Sequence, residues 1–122
     1  MPSRYDPDLV RGSLDLMVLS ALADAPRYGY LLQQRVREAT QEQVPLPAGT
    51  LYPLLHRLES EKLISSTWDA STGRRRKWYD LTARGRARLE KQAREWVAFT
   101  ACVHRMLSPV LEQARSPRPA SS

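Results

Sequence analysis

Apolar residues return at helical spacing in four stretches of this chain, and at a spacing of two in the interval between the third and fourth. The first stretch, Leu9 to Asp24, carries Leu14, Met17, Val18, Ala21 and Leu22 at that spacing. Pro26 stops it, because proline supplies no N–H to a continuing helix. A second helix is expected from Tyr28-Gly29-Tyr30 through Leu31, Leu32, Arg35 and Val36 to about Ala39. Pro45 and Pro47 stiffen the approach to a third, Ala48 to Lys62, in which Leu51, Leu54, Leu55 and Leu58 fall on one side. Pro53 sits near its start, where a lost backbone hydrogen bond costs least. The period then changes. Ser65–Asp69 and Lys77–Leu81 read as paired strands joined by a turn from Ala70 to Arg76 that contains Gly73. Tyr79 and Leu81 share the strand face that packs on the helices, and Trp68 and Trp78 read as packing residues rather than base-stacking platforms. Thr82 is placed to cap a long final helix.

This order of elements implies a mainly α fold with a small β-hairpin. Residues 9–82 read as a winged helix-turn-helix, preceded by a flexible arm over 1–8. A long helix over 83–110 and a disordered Pro/Ser-rich tail over 111–122 follow it. On the third helix, the side away from the leucines holds Gly49, Thr50, Tyr52, Pro53, His56 and Arg57. Small and hydrogen-bonding groups on an otherwise amphipathic helix suit insertion into a DNA groove. Gly49 permits close backbone approach, and the hydroxyls of Thr50 and Tyr52 suit phosphate or base-edge contacts. Tyr52 has a second reading, as a packing aromatic. Arg74, Arg75, Arg76 and Lys77, in the turn and at the start of the second strand, would grip phosphates or the minor groove.

Charge sharpens this. Residues 74–94 hold nine Arg or Lys against two acids, a local surplus of seven that exceeds the net charge of +6 for the whole chain. A localised basic stripe predicts a polyanionic partner better than uniform basicity does. The plainer alternative is a solvated helix face. Cys102 is the sole cysteine, so no intramolecular disulfide forms, which fits a reducing cytoplasm. The longest apolar run, Leu16 to Ala23, is too short to span a bilayer, and the first residues do not read as a cleavable signal. His56 lacks a second ligand at useful spacing, and Cys102 and His104 point apart on a helix, so no metal is expected. No nucleophile–base pair, glycine-rich phosphate loop or acid–base carboxylate pair is recognisable. An enzyme is not expected, nor a cofactor.

The final helix carries its own seam. Leu89, Ala93, Trp96, Thr100, Val103 and Leu107 alternate spacings of four and three, and Phe99, Met106 and Val110 widen the stripe. The preceding helices and hairpin already close a small core, so a second subunit is the simplest cover for this face. The dimer interface is therefore assigned to Leu89, Ala93, Trp96, Val103 and Leu107. The alternative has the helix fold back on its own domain. Trp96 is flanked one turn away by Ala93 and Thr100, too small to fill the space around an indole. Beside its symmetry mate it would leave a flat apolar slot for a planar aromatic effector, with Leu14, Met17 and Phe99 as further walls. The plainer reading is that Trp96 packs the interface.

The stretches RGSLDLMVLSAL, YGYLLQQ, GTLYPLLHRLESEKLI and GRRRKWYDLTARG resemble, in order and spacing, the PadR family of bacterial transcriptional regulators. The short C-terminal region resembles the smaller subfamily with a single C-terminal dimerisation helix. That resemblance implies a homodimer formed through the last helix, a pseudo-palindromic double-stranded DNA operator, and repression relieved when an aromatic or drug-like molecule binds at the dimer centre. One position departs from the pattern: Lys62 stands where the family usually ends its recognition helix with Gly, a residue suited to positive φ. Two other functions compete. One is a winged-helix module that binds RNA or duplex nucleic acid through charge alone; the other is a protein-interaction domain for an acidic partner.

Overall fold

The computed structural model describes residues 13–115; the expected N-terminal arm, the start of the first helix and residues 116–122 lie outside the described residues. In chain order the elements are α1 (Leu14–Ala21), β1 (Arg27–Tyr28), α2 (Gly29–Ala39), α3 (Ala48–Ser60), β2 (Ile64–Asp69), β3 (Arg76–Leu81) and α4 (Ala83–Arg115). They divide into two compact units, Met1–Glu90 and Lys91–Ser122.

The first unit is built on the leucines that set the helical period. Val18, Leu19, Leu22, Leu32, Leu51, Leu55, Leu58, Leu63 and Ile64 are fully buried, and Tyr79 joins them from the sheet. Burying each such side chain stabilises the fold by roughly 1.5–3 kcal/mol. α1 ends at Ala21, three residues before its expected end at Asp24. The Arg27 guanidinium donates to the Ala21 carbonyl and pairs with Asp24 at 2.8 Å, closing the turn that Pro26 forces. The hydrogen bond from Arg27 holds the Asp24 carboxyl below its ordinary range.

The sheet holds a correction. A two-stranded hairpin was expected, but three strands are present in the order β1-β3-β2, because Arg27 and Tyr28 pair antiparallel with Tyr79 and Trp78. Two residues are too few to leave a period-two signal. Tyr79 is buried and Leu81 packs against the core, as their shared face requires. Trp78 is half-buried and meets Tyr28 edge-on at 5.0 Å, whereas Trp68, expected to pack, is 58% exposed.

α3 ends in a two-bond C-cap that explains the departure at Lys62. The Leu63 N–H donates to the Leu58 carbonyl at 3.0 Å and the Lys62 N–H to the Glu59 carbonyl at 2.9 Å, with Lys62 at φ 62°. That is the left-handed conformation glycine adopts most cheaply, costing another residue roughly 1–2 kcal/mol. Lys62→Gly should therefore raise stability by about 1 kcal/mol, the gain reduced by glycine's freer unfolded chain. Urea unfolding should show a higher midpoint at unchanged slope.

The last helix is joined to this cap by Thr82. Its hydroxyl accepts from the Gly85 N–H at 2.9 Å and donates to the Lys62 carbonyl at 2.8 Å, so the expected N-cap also ties the helix to the end of α3. Arg86 adds a bond to the Ala23 carbonyl at 2.8 Å. Gly85 lies so close to this junction that a Cβ there would sit 1.9 Å from the Leu63 carbonyl oxygen. Backbone cannot yield as a side-chain tip can. Gly85→Ala should cost about 1–3 kcal/mol, measured as a lowered melting temperature.

Leu89 packs against this same core, which accounts for the first residue of the expected dimer seam within its own chain. In the second unit α4 continues to Arg115, past the expected end at residue 110 and with Pro109 inside it. Trp96, Val97, Phe99, Val103, Met106, Leu107, Val110 and Leu111 are exposed along it.

Candidate nucleic-acid interface

α3 buries Leu51, Leu54, Leu55 and Leu58 and presents Gly49, Thr50, Tyr52, Pro53, His56 and Arg57 to solvent. Two of these are less free than their exposure suggests. Arg57 donates to Asp15 of α1 at 2.6 Å and lies 3.5 Å from Glu61, and the Asp15 hydrogen bond raises its already high pKa. Tyr52 lies across the start of α2, where a Cβ on Gly29 would be 2.2 Å from its hydroxyl oxygen. Gly29 is thus the space that Tyr52 occupies. Half of the tyrosine remains exposed.

The wing begins with a local turn. Asp69 accepts from the backbone N–H and hydroxyl of Ser71 at 2.8 and 3.0 Å, which lowers its pKa, and the Gly73 N–H closes on the Ala70 carbonyl at 2.9 Å. Gly73 takes φ 87°, a conformation that glycine reaches without strain. Beyond it stand Arg74, Arg75 and Arg76. No ion pair forms to any of the three among the described residues. Arg75 stacks on Trp68 and Arg76 on Tyr28. Lys77 differs: its ammonium is 3.7 Å from Glu59, which also accepts from Ser66, so it binds the wing to α3. Burial pushes the Tyr79 hydroxyl up in pKa, and the nearby Glu59 and Tyr52 add to the effect.

β1 covers β3 only at Trp78 and Tyr79, and where pairing would continue the chain turns into α2. The uncovered edge of β3 opens a cleft of about 750 Å³ lined by Tyr28, Tyr30, Tyr52, Trp68, Arg74, Arg75, Arg76 and Lys77. Aromatic rings and hydroxyls thus share one concavity with four cations. α2 starts on its wall with no side-chain hydrogen bond from its N-cap, and the positive end of the helix adds to the field. The expected wing cations and Tyr52 meet here; Gly49, Thr50, His56 and Arg57 do not line this cleft. Trp68 stands here although packing was expected of it, and Tyr28 and Tyr30 join it although the sequence marked them only as the start of a helix. For Tyr28 and Tyr30 the short Pro26–Gly29 connection was the one signal, since it returns the chain to the sheet before α2.

The sequence profile described as the transcriptional regulator PadR-like family matches residues 18–91. This chain belongs to the PadR family of transcriptional regulators, which are not enzymes. It is 37% identical over 84 residues to the transcriptional regulator Rv3488 of Mycobacterium tuberculosis, covering 69% of this chain and 76% of that protein. Among solved structures it is similar to a PadR family transcriptional regulator from Eggerthella lenta, with 37% identity and a TM-score of 0.71 over 82% of this chain and 86% of that one. A transcriptional regulator from Clostridium thermocellum superposes with a TM-score of 0.74 at 30% identity, over 80% and 96% of the two chains. The winged-helix expectation agrees with these PadR neighbours. Among the described residues no helix is long and apolar enough to cross a membrane.

Of the residues assigned to the effector slot, Leu14 is taken into the core and its side chain is spent on packing. Met17 is half-buried against that core. Phe99 and Trp96 are exposed on α4 at 64% and 38%.

Proposed function

We propose that this PadR-family regulator is a cytoplasmic, homodimeric repressor that reads a pseudo-palindromic DNA operator and is released by a planar aromatic or drug-like effector. The observation that carries the DNA reading is the cleft between wing and helices. There Arg74, Arg75 and Arg76 stand without carboxylate partners among the described residues, beside the exposed Tyr30 and the half-exposed Tyr52. Phosphate contacts supply affinity and orientation, and base edges supply sequence. The wing arginines therefore set affinity and register. Gly49, Thr50, Tyr52 and His56 face the groove, with Arg57 joining them when DNA competes with Asp15 for its guanidinium.

The homodimer reading rests on the exposed apolar face of α4, with Ala93, Trp96, Val103 and Leu107 along its seam. The effector reading rests on Trp96 and its small neighbours Ala93 and Thr100. Binding there would alter operator affinity by its preference between two arrangements of the dimer. The deciding experiment is a gel shift with the protein's own upstream region against scrambled DNA at about 150 mM salt, where binding through charge alone shows little sequence preference. Equal binding to both would overturn the operator reading in favour of the charge-only module.

A further inference from the structure

Arg75 and Arg76 stand side by side at the end of the wing, and each guanidinium lies over a ring. Arg75 is 4.3 Å from the centroid of Trp68, and Arg76 is 4.6 Å from that of Tyr28. The rings come from different strands. Cross-strand register sets Trp68 opposite Lys77 and Tyr28 opposite Trp78, which are consecutive residues of β3. Alternation therefore places the two rings on opposite faces of the sheet, and it sends the two arginines the same two ways. Tyr28 is itself fixed, edge-on to Trp78 at 5.0 Å. Trp68 is 58% exposed, so core packing does not account for a side chain of its size at that position.

What a ring does to an arginine differs from what a carboxylate does. A guanidinium stacked by its flat face keeps the N–H groups in its plane free for a phosphate, whereas an ion pair occupies them. The wing shows both cases: Lys77 is engaged by Glu59 at 3.7 Å and reaches the Trp68 centroid only at 6.0 Å, while Arg75 and Arg76 are held by rings, with no ion pair among the described residues. A long side chain already oriented loses less rotamer freedom on binding.

We infer that Trp68 and Tyr28 are positioning residues of the DNA interface, holding Arg75 and Arg76 splayed to the two sides of the wing with their donor edges free. The inference rests on the DNA-binding reading above. It gives Trp68 a role that acts through Arg75 and not through a stacked base.

The test is a double-mutant cycle on operator DNA with Trp68→Leu and Arg75→Ala, alongside Trp68→Phe. Trp68→Leu should weaken binding about two- to five-fold, the range for an exposed cation–π contact. Trp68→Phe should stay near the parent, and the slope of log K against log salt should not change, because no charge is removed. In the Arg75→Ala background Trp68→Leu should cost nothing further. An equal cost in both backgrounds would overturn the inference and leave Trp68 touching DNA itself or supporting the hairpin; no cost in either would also overturn it.

A second measurement needs no DNA. With Trp78→Phe and Trp96→Phe, Trp68 is the sole fluorophore among the chain's three tryptophans. Arg75→Ala should then change its emission in the free protein, and an unchanged spectrum would rule out the stack. Failure of the parent protein to prefer operator DNA would sink the DNA reading, while this spectrum judges the stacking separately. Tyr28→Phe should behave as the parent in every assay, because the ring is retained.

Discussion

Replacing Arg74, Arg75 and Arg76 together by alanine is expected to flatten the salt dependence of operator binding by about 5 units of log K per log salt. Each phosphate contact contributes roughly 0.9 to that slope on duplex DNA, and a dimer presents the triplet twice. A single engaged wing would give about half that change, so the measurement also counts wings. Between 50 and 200 mM salt a slope of about 5 corresponds to roughly a thousand-fold in affinity, which makes this one of the two largest effects anticipated. Stability should hardly move. All three side chains lie at the hairpin end, and among the described residues their contacts are at most ring stacking. Surface changes of this kind stay within about 0.5 kcal/mol each. Fluorescence anisotropy over a salt series reads the slope, and thermal unfolding reads the control. An unchanged slope and affinity would make the wing a structural hairpin and nothing more.

The contrast with Lys77 and Arg57 shows where the sequence stopped being legible. In the sequence, four cations of the Gly-Arg-Arg-Arg-Lys run look equivalent, because composition records charge and not partner. The strand register separates them: Lys77 faces Glu59 across the base of the wing, while the arginines lie toward its open end. Arg57 is similar. Its partner Asp15 is 42 residues away, and no local pattern links two helices at that separation. By comparison, the helices and the hairpin were readable because each rests on a period kept over several turns or alternations. The same reasoning could not find β1, whose two residues make a strand only through β3. Trp68 was misjudged for a related cause. Indoles are mostly buried, and only the register reveals that this one extends past the core to the wing cations. Leu89 satisfies two patterns at once, the α4 seam and the core of the first unit, and spacing alone cannot choose between them. Lys62 was legible as an exception only through the resemblance: the Gly usual at that helix end implies a positive φ, and Lys62 adopts it despite its side chain.

Truncating the chain before Ala93 should give a folded monomer whose operator affinity is about 10²–10⁴-fold weaker. The core explains why the fragment folds. Among the described residues the buried apolar core lies between Leu14 and Tyr79, with Met17, Leu81 and Leu89 packed against it, so the cut removes none of that cluster. What it removes is the stretch of α4 on which Trp96, Val97, Phe99, Val103, Met106, Leu107, Val110 and Leu111 are exposed. So large an apolar face is unusual on a chain that works alone, and in the proposed homodimer a second copy of the same helix would cover it with two-fold symmetry. Two linked reading heads bind as one ligand at high effective concentration, and losing that linkage costs the factor given above without altering a single DNA contact. The same symmetry would set the operator: half-sites one helical turn or a multiple apart, about 10 bp per turn. Sedimentation velocity on the intact and shortened chains, with anisotropy on one-half-site and two-half-site DNA, reads both parts of the expectation. The intact chain should sediment as a dimer and prefer the two-half-site duplex. The shortened chain should sediment as a monomer, bind both duplexes equally, and keep the salt slope of one wing. An intact chain that sediments as a stable monomer and still binds its operator tightly would remove α4 from dimerisation and leave its exposed face to another partner.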